Sequence, residues 1–314
     1  MIQNNYKKLK VVLIKPSKYD DEGYVIRFWK GVLPSNTLSV LNGLTEDVKR
    51  RRVFGDLEIE IATFDETAEK VPLKRILRWN RQPSTKLVVG LVGVQTNQFP
   101  RALALGRQLR AAGIDVIMGG FHTSGTINML GEQEPDLQEI VRESISIVSG
   151  EVEGRWEAIL GDVLSGELKP IYSFAQDLQN LVDLGDAPAP VVSHTTMKHF
   201  AYSTFGTMDT SRGCPFACSF CTIINVQGRK MRERSAESIA EIVRRNYLDH
   251  KIHFYFFTDD NFARKKLWRE TFEALIRLRK EEDIKIDFSC RWTWRASQRT
   301  LSDWPPRRAA PMCL

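Results

Sequence analysis

Ser211-Arg212-Gly213-Cys214-Pro215-Phe216-Ala217-Cys218-Ser219-Phe220-Cys221 is the stretch that decides how this chain is read. Its three cysteines fall within eight residues at the spacing Cys-x3-Cys-x2-Cys. That spacing puts three thiolates on one loop, as an iron–sulfur cluster needs. A [4Fe–4S] cube has four irons, so three protein thiolates leave one iron for another ligand. The competing readings are a zinc site and three ordinary buried cysteines. Zinc wants four ligands, usually from paired Cys-x2-Cys knuckles, and Cys290, His194 or His199 would have to supply the fourth.

Outward from the cysteines the pattern is strand, helix, strand. Residues 206–210 read as a strand that leads into the cysteine loop. Ser235 caps an expected helix over 236–249. Residues 253–258 form a second strand, ending at Asp259-Asp260-Asn261. A helix over 265–279 carries Leu267, Phe272, Leu275 and Leu278 near helical spacing, and 284–288 is a third strand. Upstream, apolar strands are expected over 11–14, 57–64, 87–94, 116–118 and 145–148. A helix over about 100–112 closes at Gly113, and another runs to about Leu164. Short buried strands separated by helices argue a parallel sheet covered on both faces. Ligands of such sheets sit beyond the carboxyl ends of the strands, which here carry 93–97, 119–125 and 150–153.

The composition is that of a globular protein: 314 residues, 42% apolar and 27% charged. No apolar stretch is long enough to span a bilayer, and four apolar residues after Lys7, Lys8 and Lys10 cannot make a signal-peptide core. The chain therefore reads as cytoplasmic, where thiols stay reduced and close cysteines act as metal or redox ligands. The net charge of +6 comes largely from five Arg against one Asp in residues 291–314. The basic runs 49–52 and 229–234 read as solvated faces, without the aromatic interleaving that base stacking would need. Neither a membrane nor a nucleic-acid partner is expected.

The cysteine loop resembles the radical S-adenosylmethionine superfamily. The resemblance rests on the three cysteines, on Phe220 before the last of them, and on their place after the first strand of a βα series. It implies that Cys214, Cys218 and Cys221 bind a [4Fe–4S] cluster whose open iron chelates S-adenosylmethionine. One electron, from a donor such as flavodoxin or ferredoxin, would cleave the sulfonium to a 5′-deoxyadenosyl radical. Asp259 and Asp260 occupy the place where this superfamily often has a Gly-Gly-Glu-like segment touching the S-adenosylmethionine amino group; the competing reading is an Asx-capped turn. Arg212 reads as a residue that steadies the cysteine loop.

The N-terminal half resembles the cobalamin-binding domain often fused to such enzymes. The residues concerned are Gly90 and Gly93 with Thr96 and Asn97, then Gly119-Gly120 with His122, then Gly150-Glu151-Val152-Glu153. Glycines admit a nucleotide tail close to the backbone, and helix N-termini offer donors to its phosphate. One departure has a consequence for cobalt. Methionine-synthase-like cobalamin domains carry Asp-x-His-x-x-Gly after the first strand, whereas here 15–23 contains no histidine. Cobalamin without a histidine lower ligand is therefore expected, with His122 a pocket or loop residue. Tyr19, Asp20, Asp21 and Tyr24 read either as a surface turn or as a loop facing cobalt or substrate.

The expected architecture is α/β: a Rossmann-like cobalamin-binding parallel sheet over 1–165, a Pro-containing linker over 166–205, and an incomplete radical-enzyme (βα)6 partial barrel over 206–290. Residues 291–314 have no Lys, Glu or Ile but three of the seven Trp, and are expected to be a shifted reading frame or a disordered extension. The implied chemistry is methyl transfer to an unactivated centre of a small molecule. Radical rearrangement or cyclisation, and a truncated cofactor-binding fragment without turnover, are the alternatives.

Overall fold

The computed structural model describes residues 6–174, 181–185, 187–216, 218–219, 221–259, 262 and 265–291, and the backbone of 312–313. Phe220, Asp260 and most of the tail, 292–311 and 314, lie outside the described residues.

The first half is a six-stranded, all-parallel sheet. Its strands are β1 (Lys8–Lys15), β2 (Glu58–Asp65), β3 (Thr85–Leu91), β4 (Asp115–Gly119), β5 (Ser146–Ser149) and β6 (Ile171–Ser173), ordered β2-β1-β3-β4-β5-β6. The five strands expected from sequence are all present. β6 lies within the stretch expected as linker, too short to show a period.

Alternation within each strand decides which face each side chain serves. Leu9, Val11 and Leu13 of β1 enter one apolar core, and Val12 and Ile14 enter the other. The first core is closed by α1 (Asn36–Arg50) and α6 (Trp156–Ser165). The second is closed by α2 (Leu73–Asn80), α3 (Phe99–Arg110), α4 (Phe121–Leu130) and α5 (Pro135–Arg142). Ser35 starts α1 by accepting a hydrogen bond from Leu38 N, and Trp156 of α6 donates its indole N–H to Thr45 of α1 at 2.9 Å. Burial on both faces explains why the strands read as near-continuous apolar runs. The strand order reverses between β1 and β3, and that switch opens a crevice at the carboxyl edge.

Residues between the two halves pack on α1. Val191 N donates to Ser39 O, Asn42 donates to Val191 O, and a Cβ on Gly43 would lie 2.1 Å from Ala189 O. α7 (His194–Met197) follows, and Thr196 shares a buried hydrogen bond with Thr63 of β2.

The second half is a parallel sheet ordered β12-β11-β10-β7, from β7 (Phe205–Met208), β10 (Phe254–Phe257), β11 (Asp287–Cys290) and the short β12 (Met312–Cys313). α9 (Ala236–His250) and α10 (Trp268–Glu281) cover it. Ser235 caps α9 through Ser238 N at 3.0 Å, as its sequence requires. β8 (Ser211–Arg212) and β9 (Arg232–Glu233) form a separate antiparallel pair, and α8 (Ile223–Val226) lies between them.

Candidate cofactor site

The three cysteines sit on one excursion of the chain, closed at its neck by the β8–β9 ladder with Arg212 opposite Arg232. Gly213 turns the chain into this excursion. Its φ is +86°, and a Cβ there would lie 2.3 Å from Lys230 O, so only glycine fits. Gly213 N donates to the Gln227 side chain and Cys214 N to Gly228 O, tying the loop's start to its end. Cys218 is exposed, and Cys214 and Cys221 are partly exposed. Among the described residues no three His, Cys, Asp or Glu side chains converge on a point for one metal ion. A cube needs no such convergence, because each thiolate binds a different iron. The fourth ligands a zinc site would need lie elsewhere. Cys290 is fully buried in the second-half core, His194 faces His250 across 3.3 Å, and His199 lies 3.4 Å from Glu69.

An open cleft of about 510 Å³ lies beside the loop, lined by Pro215, Phe216, Met231, Glu233, Lys266 and Leu267. The Glu233 carboxylate accepts from the backbone N–H groups of Lys266 and Leu267 just before α10. Asp259 is buried and turned inward. It accepts from Thr210 N at 3.0 Å, from Thr210 Oγ1 at 2.8 Å and from Ser211 Oγ. It thus pins the strand end that delivers the cysteines. Lys265, also buried, sits over the Phe262 ring with no hydrogen-bond partner for its ammonium, and burial pulls its pKa down.

At the facing edge of the first sheet, Thr96 and Asn97 are exposed on a short 3-10 turn after β3. Gly119 and Gly120 end β4, and His122 opens α4. His122 is buried, stacked on Phe99 at 4.4 Å, and its Nε2 lies 3.3 Å from Asp136 Oδ2. Neither ring nitrogen makes a hydrogen bond, and the buried Ser149 hydroxyl at the end of β5 also has none. Burial lowers the His122 pKa, against the opposing pull of Asp136, and so favours the neutral ring. These orphaned polar atoms fit an edge that receives a polar ligand.

The loop after β1 is held in place by Glu66, which is fully buried. Its carboxylate accepts from Ser17 N and from Arg101 Nη2 at 2.6 Å and Nε at 3.0 Å, and Arg101 reaches Tyr19. Tyr19 is therefore tied into the fold, whereas Tyr24 is exposed. Glu69 nearby is half-buried, and burial raises its pKa to about 7. Below pH 4.5 the carboxyl is protonated in folded and unfolded chains alike, and its contribution is fully present. That contribution is lost as pH rises through about 7. Glu69→Gln is expected to gain stability relative to the parent between pH 5 and pH 8 in paired urea titrations. A constant difference across that range would contradict the assignment.

Glu151 and Glu153 lie where sequence placed them, after β5, but their side chains turn to the second half. Glu151 accepts both terminal nitrogens of Arg232 at 2.6 and 2.7 Å, and Glu153 lies 2.6 Å from Arg212. Arg212 also donates to Asp209 at 2.7 Å. Burial works against an Asp209 charge, yet the Arg212 and Arg234 guanidiniums hold its pKa far below the usual carboxylate range. Sequence reading missed Asp209, Arg232, Arg234 and Lys265. The available signal was charge beside the cysteines, but a basic run is more often solvated.

A parallel Rossmann-like sheet is joined to a second βα sheet whose first strand leads into the three cysteines. Residues 208–294 match the Radical SAM superfamily model. The chain is 28% identical over 201 residues to bacteriochlorophyllide d C-12(1)-methyltransferase of Chlorobaculum tepidum, covering 62% of this chain and 41% of that enzyme. The fold is that of the radical S-adenosylmethionine methyltransferase TsrM from Kitasatospora setae, with TM-score 0.61 at 14% identity, over 90% of this chain and 54% of that one. It is also that of the cobalamin-dependent S-adenosylmethionine radical enzyme OxsB, with TM-score 0.58 at 16% identity, over 91% and 39%. The chain spans about two fifths of the length of the curated relatives it matches. Among the described residues no helix is long and apolar enough to cross a membrane.

Proposed function

We propose that this chain holds a [4Fe–4S] cluster, S-adenosylmethionine and cobalamin, and serves methyl transfer to an unactivated centre of a small molecule. The observation that carries the reading is the closed excursion presenting three accessible cysteines beside a cleft and opposite the carboxyl edge of a Rossmann-like sheet. Cys214, Cys218 and Cys221 would each hold one iron. Thr96, Asn97, Gly119, Gly120, His122 and Gly150 would receive the cobalamin tail, with the buried His122 ring nitrogens and Ser149 hydroxyl, which make no hydrogen bond, as polar contacts. When bound, these groups supply radical cleavage of S-adenosylmethionine and a transferable methyl. The protein's residues orient them: Asp259 fixes the strand before the cysteines, and Glu66 with Arg101 fixes the loop after β1. Phe220 and Asp260 remain part of the proposal from sequence alone. A reducing partner such as flavodoxin or ferredoxin would supply the electron. The relatives named as methyltransferases favour methylation over rearrangement.

Anaerobic reconstitution tests this reading. Iron and cobalt should both be retained, and S-adenosylmethionine with a reductant should give 5′-deoxyadenosine. With substrate, S-adenosylhomocysteine and a methylated product should follow. Deoxyadenosine without S-adenosylhomocysteine would overturn methylation, and retention of both cofactors without any turnover would reduce the role to cofactor binding. With no histidine in 15–23, the EPR spectrum of bound cob(II)alamin is expected to lack nitrogen superhyperfine splitting from a histidine. Splitting that changes when the protein's histidines are labelled with 15N would show a histidine ligand.

A further inference from the structure

The two halves meet through buried charge beside the neck of the cysteine excursion. Arg212 stands two residues before Cys214, and Arg232 is its register partner across the neck of the excursion. Both strands of that neck are gripped by the same short segment after β5. Arg232 makes its two-pronged contact with Glu151, while Arg212 lies 2.6 Å from Glu153 and 3.5 Å from Glu151. Asp209 holds Arg212 from below and also accepts from Asn36 at the start of α1. Arg234, fully buried, donates to the backbone carbonyls of Asp209 and Leu184. Glu151, Glu153 and Asp209 thus face Arg212, Arg232 and Arg234, and their charges balance. The side chains of Arg212, Arg232, Glu151, Glu153 and Asp209 are all under 10% exposed.

Buried ion pairs are poor stabilisers, because desolvation offsets most of their attraction and an apolar cluster would hold the halves as well. The two-pronged contact of Arg232 with Glu151 fixes direction and distance, which apolar contact does not, and Arg212 adds a single-oxygen ion pair with Glu153. We propose that Glu151 and Glu153, through Arg212 and Arg232, are positioning residues that set the cysteine excursion at one distance and orientation from the carboxyl edge of the first sheet. The proposal rests on the functional reading above only for what each side carries, a cluster on one and cobalamin on the other.

The test places the change on the first-sheet side, away from the cysteines, as Glu151→Gln with Glu153→Gln. In the metal-free chain, hydrogen exchange at 211–214 and 228–233 should quicken about tenfold while β1 and β3 keep their protection. After loading, iron and cobalt per chain should match the parent. The magnetic coupling between the reduced cluster and cob(II)alamin, read by EPR, should weaken or broaden. Unchanged exchange with unchanged coupling overturns the proposal, and so does loss of iron with unchanged exchange, which would assign the carboxylates to cluster assembly. If the parent takes up neither cofactor, the functional reading fails, and the exchange result alone decides the positioning role. Should the double variant not fold, Glu153→Gln alone leaves Arg212 paired with Asp209 and Glu151. It should move both readouts in the same direction by less, and no movement in either would overturn the proposal.

Discussion

Cys218→Ala should strip the reconstituted protein of its cluster, taking iron from about four per chain to below one. S-adenosylmethionine cleavage should fall to background with it. The loss is expected to be complete because two thiolates leave two irons of the cube without protein ligands, and Cys290, His194 and His199 do not replace the third. Cys290 is in the second-half core, and His194 and His199 face other partners. Cys218 is exposed, so its truncation removes no packing. The metal-free variant should therefore unfold within about 0.5 kcal/mol of the parent. Together, lost iron and kept stability identify a ligand. Iron retained at the parent level would remove Cys218 from the cluster, and a large loss of stability would make it structural.

Gly120→Ala should strongly destabilise the first half, costing about 3–5 kcal/mol. Gly120 has φ +151° and ψ −170°, a region open essentially to glycine alone. An added Cβ would stand 2.2 Å from Val94 N and 2.5 Å from Val94 O. Those atoms cannot yield cheaply. Val94 N donates to Gly119 O and Val94 O accepts from His122 N, so the loops after β3 and β4 are stitched together there. The same shift would move Thr96, Asn97 and His122, and cobalamin affinity should fall with stability. Gly113→Ala is the control. Its φ is +72°, but nothing lies within 4 Å of the added carbon, and it should cost about 1 kcal/mol. Urea unfolding of the metal-free proteins compares them, and equal costs would refute the argument from the Val94 contact.

The two glycines were legible in different degrees. Gly113 announced itself as a helix stop from its place after α3. The Gly119-Gly120 pair reads in sequence as a close approach for a cofactor tail, and at Gly120 the backbone of Val94 also requires the missing side chain. Asp259 reads in sequence as a contact to the S-adenosylmethionine amino group or as an Asx turn, and its carboxylate accepts from Thr210 and Ser211. Glu151 and Glu153 were read as part of a glycine-containing loop at a strand end, which located them correctly but not their partners.

Sequence by itself determined the parallel α/β organisation and the three cysteines. Strand burial on both faces leaves continuous apolar runs, and a cluster's ligands must lie close along one loop. Both are local patterns, visible without knowing which segments meet. Only the tertiary structure decided that residues after β5 grip the neck of the cysteine excursion, and that Asp259 pins the strand before it. Those contacts join residues 48 to 81 positions apart. Whether a charge is solvated or buried against its opposite depends on that meeting, and no local pattern in the chain records it.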